Sequence, residues 1–195
     1  MTVIGAYLDK DAAYLACDSQ LTYGGNTMAG PVKYVRHGRF WAMQAGGFHG
    51  LDLMKMSLET LHTKTLTDEA VRVFSLTLRQ MMQQHMSWSP PSHAEGPPSY
   101  EMNAIVTDGK RVLQFDATLT PIELQMHHAT FCGSELAEGA YGMLKQQGVA
   151  EQYDPASMLY DCLRVQCERS IFCSAPIHII RAPRGRGMGS VEVLE

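Results

Sequence analysis

The chain has 195 residues, 45% of them apolar and 18% charged, and a formal net charge of −4 at pH 7. That length suits one domain, 1–195, with a sizeable core, and the mild acidity lacks the basic stripe of a nucleic-acid binder. No apolar run approaches the roughly 20 residues that cross a bilayer, and the start has neither the basic nor the apolar region of a signal peptide. The five cysteines have no metal-ligand spacing and read as free thiols of a reduced, cytoplasmic protein.

Residues 3–8, Val3-Ile4-Gly5-Ala6-Tyr7-Leu8, are apolar and partly β-branched and read as a strand. Asp9-Lys10-Asp11 is a turn, and residues 12–17 form a second strand. Both are apolar on both faces, as in a sheet covered on each side. Residues 19–32 hold Gly24, Gly25, Asn26, Gly30 and Pro31 and read as a loop with unusual backbone conformations. Strands at 34–35 and 40–45 flank His37-Gly38-Arg39.

From Leu51 the period changes. Leu51, Met54, Leu58 and Leu61 follow a helical face. Thr67-Asp68-Glu69 opens a second helix, with acids in its first turn and a buried face of Val71, Phe74, Leu78 and Met81 or Met82. Residues 87–99 carry Pro90, Pro91, Pro97 and Pro98 and read as a surface loop. Strands at 101–107 and 110–115 form a hairpin around Asp108-Gly109, followed by a third piece at 122–125. Thr130-Phe131-Cys132-Gly133-Ser134 leads into a third helix with Leu136, Ala140, Met143 and Leu144 inward and Gly148 as its cap. Asp154-Pro155 starts a fourth, with Leu159, Cys162, Leu163 and Gln166 or Cys167 inward. A strand at 175–180 and a Gly- and Arg-rich tail, 183–195, with a last strand at 191–194, complete the chain.

Blocks of strands, two helices, strands, two helices and strands point to an α+β fold. Two sheets stacked between two helical layers would cover every apolar face. With this order and these motifs, the chain resembles proteasome β-subunits, and most of all the HslV-type bacterial proteasome-like peptidases. The resemblance is carried by Thr2-Val3-Ile4-Gly5, Asp18-Ser19-Gln20-Leu21-Thr22, Gly25-Asn26-Thr27-Met28, Lys33, Ala45-Gly46-Gly47 and Cys132-Gly133-Ser134. Its specific part is 2–60; from 100 to 181 it is mainly element order, and 87–99 and the tail fall outside it.

The resemblance implies an N-terminal-nucleophile hydrolase with a four-layer αββα sandwich. It implies a threonine peptidase in which Thr2, freed of Met1, is the nucleophile and Asp18 and Lys33 are its electrostatic partners. A threonine hydroxyl needs a base, and a free α-amine with a pKa of ~7.7–8.0 can take its proton. A nearby ammonium favours that proton's loss. Backbone N–H groups of the turn from Met43 through Gly46 and Gly47 would stabilise an oxyanion, with Ser134 and Glu168 in support. The same resemblance implies polypeptide substrates, self-association into rings, a separate ATP-dependent unfoldase, and no cofactor or metal.

Two registers fit the start. Aligned through Gly5, Met1 occupies the nucleophile position; aligned through Asp18, Thr2 does. The sequence also departs from the family at Glu135, which follows Ser134 where glycine is common, at Glu168, where the family carries aspartate, and at Met43, in place of the oxyanion-loop glycine. The alternative function is a catalytically silent proteasome-like subunit with an assembly role; a third is an N-terminal-nucleophile amidase acting on a small molecule. Simpler readings stand beside the site residues: Thr2 in a strand, Asp18 ending one, Lys33 a solvated charge, and Ser134 a helix N-cap. Cys17 reads as a buried strand cysteine. The adjacent His127-His128 pair is expected on opposite faces of a strand.

Overall fold

The unbroken apolar runs of the opening strands require cover on both faces, and a computed structural model of the chain supplies it. The structure describes residues 2–23, 26–30, 32–46, 50–85, 100, 102–171, 173–185, 187 and 189–195. Met1, Gly24, Gly25, Pro31, Gly47, the Pro-rich stretch 87–99 and Glu101, all singled out from the sequence, lie outside the described residues.

The strands are β1 (Ile4–Leu8), β2 (Ala12–Cys17), β3 (Gln20–Tyr23), β4 (Asn26–Ala29), β5 (Tyr34–His37), β6 (Phe40–Gly46), β7 (Met102–Thr107), β8 (Val112–Phe115), β9 (Pro121–Glu123), β10 (Ala129–Cys132), β11 (Ile177–Pro183) and β12 (Ser190–Leu194). The helices are α1 (Gly50–Glu59), α2 (Asp68–His85), α3 (Glu135–Gln146) and α4 (Pro155–Arg169). Sheet one has the order β10-β1-β2-β11-β12 and sheet two the order β5-β6-β7-β8-β9, each antiparallel throughout. A two-stranded ribbon, β3-β4, stands apart from both.

Side chains of period two sort into three cores. Ile4, Ala6 and Leu8 of β1, Ala13, Leu15 and Cys17 of β2, and Trp41, Met43 and Ala45 of β6 pack between the sheets. The alternate residues of β1 and β2, Tyr7, Ala12, Tyr14 and Ala16, meet Met158, Leu159, Cys162 and Leu163 of α4. Phe40 and Ala42 on the other face of β6 meet Leu53, Met54 and Leu58 of α1 and Val71, Phe74, Leu78 and Met82 of α2. The result is the four-layer αββα sandwich expected from the pattern. Among the described residues no helix is long and apolar enough to cross a membrane.

Local chemistry sets the element ends. Asp154 caps α4 by accepting the Ser157 N–H at 2.9 Å, and Pro155 fills the first turn. In the β7–β8 turn Asp108 accepts the N–H groups of Lys110 and Arg111 at 2.9 Å, and its other oxygen takes the Leu66 N–H at 2.8 Å. Arg111 then ion-pairs with Asp68 of α2 and Glu123 of β9, fastening the helical layer to the sheet edge.

Three expectations need correction. Residues 19–32 are not simply a loop: β3 and β4 pair there, with Leu21 opposite Met28. The inward face of α3 is Ala137 and Tyr141, with Ala140 and Leu144 packed alongside, whereas Leu136 and Met143 are exposed. Apolar residues on two neighbouring stripes made the wrong stripe look as good as the right one. His127 and His128 precede β10 in a turn, with His127 at φ 59°.

Phe115 is fully buried and meets the Phe74 ring edge-on at 5.4 Å between centroids, joining sheet two to α2. Phe115→Ala is expected to cost about 3–5 kcal/mol of stability, read as a lower urea midpoint with an unchanged slope.

Candidate active site

Asp18 follows β2, and its carboxylate is fully buried. A buried charge must be paired and fully hydrogen-bonded. Lys33 Nζ donates to Oδ1 at 2.7 Å, the Val3 N–H donates to the same oxygen at 3.0 Å, and the Gln20 N–H reaches Oδ2 at 3.1 Å. The Asp18 N–H returns a bond to the Val3 carbonyl at 3.3 Å. Lys33 is itself 6% exposed, so the pair is shielded from solvent. Its carbonyl accepts the Gln44 N–H at 3.2 Å, which holds the segment leading into β5 against β6. Asp18 and Lys33 are therefore brought together, and Asp18 is bonded to the residue next to Thr2.

Thr2 lies two residues before β1, partly buried. In the β1–β10 register Ile4 faces Cys132, the residue before Gly133 and Ser134. Gly133 has φ +81°, a left-handed conformation that turns the chain from β10 into α3 and that favours glycine. Ser134 caps α3: its Oγ accepts the Ala137 N–H at 2.8 Å and donates to Gln166 Oε1 at 2.7 Å. The cap and the candidate site residue are one hydroxyl. A cavity of about 580 Å³ opens here, lined by Gly133, Ser134, Glu135, Leu136, Glu138 and Gln166. Glu135 thus stands on a cavity wall.

The other candidates are placed differently. Met43 pairs with Tyr34 and Ile105, and its side chain is buried between the sheets. Gly46 ends β6 at φ +129°, exposed, a backbone suited to glycine. Gly47 is outside the described residues. Glu168 is on the outer face of α4, in an exposed pair with Arg164 at 3.4 Å. It is not brought to Ser134; Gln166 is. A polar residue continuing the apolar stripe Leu159, Cys162, Leu163 was the signal that Gln166 has a buried partner. Cys17 is buried, and burial pushes its thiol up to about 12, so it stays protonated. Among the described residues no group of His, Cys, Asp or Glu is arranged to hold a metal.

The segment between α4 and β11 braces the site from behind. Ser174 carbonyl accepts the Ser19 N–H at 3.3 Å, Pro176 carbonyl accepts Ser19 Oγ at 2.5 Å, and Ile171 carbonyl accepts Gln20 Nε2 at 2.6 Å. These contacts were not legible beforehand, because nothing in the sequence ties residues 19–20 to 171–176.

This geometry sits on a known architecture. The chain has the four-layer fold of HslV and its proteasome-like neighbours. It is similar to Thiobacillus denitrificans BPH in complex with epoxomicin, at 14% identity and a TM-score of 0.73 over 99% of both chains. It is also similar to Anbu from Hyphomicrobium sp. strain MC1, at 12% identity and TM-score 0.69 over 98% of this chain and 87% of that one. Eukaryotic HslV from Trypanosoma brucei aligns at 17% identity and TM-score 0.63 over 99% of both. No family model matches the sequence, and no curated protein does.

Removing one partner of a buried ion pair leaves the other charge uncompensated. Lys33→Met is expected to cost about 3–5 kcal/mol in urea unfolding, and the double variant with Asp18→Asn to cost clearly less. A loss under about 1 kcal/mol for the single variant would show that the pair is not shielded.

Proposed function

We propose that this chain is a threonine-type endopeptidase of the proteasome kind, a single proteasome-β-like domain that works inside a ring of its own copies on unfolded polypeptides. Thr2 is the nucleophile once Met1 is removed. Its α-amine takes the hydroxyl proton as the oxygen attacks the scissile carbonyl, and later returns it to the leaving amine. Lys33, held charged by Asp18, favours the deprotonated hydroxyl and the neutral amine. Backbone N–H groups at the end of β6, around Gly46 and Gly47, stabilise the oxyanion. Ser134 and Gln166 fix the opposite wall. Polypeptide delivery falls to a separate ATP-dependent unfoldase, in the cytoplasm.

The observation that carries this reading is the buried Asp18 carboxylate, which takes Lys33 Nζ at 2.7 Å and the Val3 N–H at 3.0 Å. A buried Asp18–Lys33 pair bonded to Val3 carries the cost of desolvating two charges, and a role for both at Thr2 accounts for it. The shared fold with BPH, which was solved with epoxomicin, supports the same reading and suggests epoxomicin as a probe of this chain. Attachment of Asp18 to Val3 favours the register in which Thr2, rather than Met1, is the nucleophile.

Intact mass should show Met1 absent from protein that cleaves a fluorogenic peptide, with epoxomicin blocking turnover. Thr2→Ala should lower kcat at least about a thousand-fold while Thr2→Ser retains part of it; quantitative retention of Met1, or full activity in Thr2→Ala, would sink the assignment. Because the base is a neutral amine of ordinary pKa ~7.7–8.0, turnover should rise as pH climbs through that range or somewhat below it, and a profile flat from about pH 6 to 9 would exclude this base.

A further inference from the structure

β6 puts Phe40 and Ala42 on the face that meets α1 and α2, and period two brings Gln44 to the same face. An apolar side chain would complete that face without burying an amide. Gln44 stands there instead, 4% exposed, two residues before Gly46. Its backbone is held on both sides: it pairs with Ala104 of β7, and its N–H donates to the Lys33 carbonyl at 3.2 Å.

The Gln44 side chain reaches the start of α1. Gly50, the first residue of that helix, is buried, and a Cβ placed on it would lie 2.6 Å from Gln44 Cδ and 2.7 Å from Nε2. Atoms in ordinary contact stand about 3.5–4.0 Å apart, so position 50 has no room for a side chain while Gln44 keeps its place. Leu53, Met54 and Leu58, farther along α1, share one core with Phe40 and Ala42 and hold the helix on the strand. The glutamine is thus a spacer between the end of β6 and the beginning of α1.

We infer that Gln44 is a positioning residue for peptide hydrolysis. Bonded through its backbone to Lys33 and wedged through its side chain against Gly50, it sets where α1 begins relative to the end of β6, and so the aim of the backbone N–H at Gly46. Gly46, at φ +129°, has no side chain to restrain it, and glycine is the most freely turning residue, so its direction depends on what surrounds it. The inference rests on the peptidase reading, which gives the N–H groups around Gly46 the oxyanion. Gln44 touches no reacting atom there and acts through Gly46. A misaimed oxyanion donor weakens binding of the transition state rather than of the substrate, so the loss falls on kcat and not on KM.

The test is a double-variant cycle on the whole chain with Gln44→Ala and Gly50→Ala, read with a fluorogenic peptide. Each single variant should lower kcat about ten- to a hundred-fold, with KM held within about two-fold. The double variant should lose less than the product of the two losses, because removing the amide makes room for the new Cβ. For the same reason its urea midpoint should lie above that of Gly50→Ala. Gln44→Met keeps the length of the spacer and should lose less kcat than Gln44→Ala. Should Gln44→Ala fail to fold, Gly50→Ala against Gln44→Met decides: the first should lose more kcat, and equal losses would overturn the inference. A wild-type chain that cleaves no peptide and does not react with epoxomicin overturns the peptidase reading and this inference with it. An active wild type whose kcat is unchanged in Gln44→Ala, whose losses fall on KM, or whose two substitutions combine without recovery of kcat and urea midpoint overturns this inference alone.

Discussion

A carboxylate with no water around it constrains everything near it. Asp18 has three donors, and each belongs to a different piece of chain: the start of β1, the start of the β3–β4 ribbon, and the approach to β5. Isolated in an apolar interior, such a charge would be untenable, and an unpaired Lys33 equally so. The pair survives because the donors are all present at once. The strands therefore cannot shift register without exposing or orphaning a charge, which specifies their alignment more sharply than apolar packing alone does.

A second polar knot lies across sheet one. Ser134 bridges the N-terminus of α3 and Gln166 of α4, so the two outer helices are tied together at the end of the sheet where β1 begins. Elsewhere along the sheets the buried side chains are overwhelmingly apolar. The division of labour is physical: dispersion and hydrophobic burial hold four layers together without preference for small displacements, while a few directional bonds fix positions to within tenths of an ångström at one end.

Much of the fold was legible because each strand near the start carries apolar residues on both faces and each helix shows a 3.6-residue stripe. Val71, Phe74, Leu78 and Met82 of α2, and the Asp154-Pro155 start of α4, read directly into structure. The failures have definite causes. On α3, Leu136 and Met143 compete with Ala137 and Tyr141 on adjacent stripes, and the smaller, mixed face is the buried one. In 19–32, glycine and asparagine drew attention away from the short strands β3 and β4. Among the candidates that family likeness named, Asp18 and Lys33 are paired and Ser134 is buried, whereas Gln166 was hidden as one position of a stripe and Glu168, standing where the family carries aspartate, faces outward with Arg164. Long-range bonds such as Ser19 Oγ to the Pro176 carbonyl leave no trace in local pattern.

That last bond spans 157 residues, and β11, on the same late segment, occupies the position in sheet one directly beside β2. On a ribosome, the N-terminal third emerges with its ribbon and strands long before β11 exists. Until then β2 has an open edge, and the residues next to Asp18 lack their cover. A chain of this topology completes the surroundings of Asp18 late, because the bonds that anchor Gln20 and Ser19 beside it span 151 and 157 residues. Synthesis thus leaves the surroundings of Asp18 incomplete until β11 and the segment before it have been made.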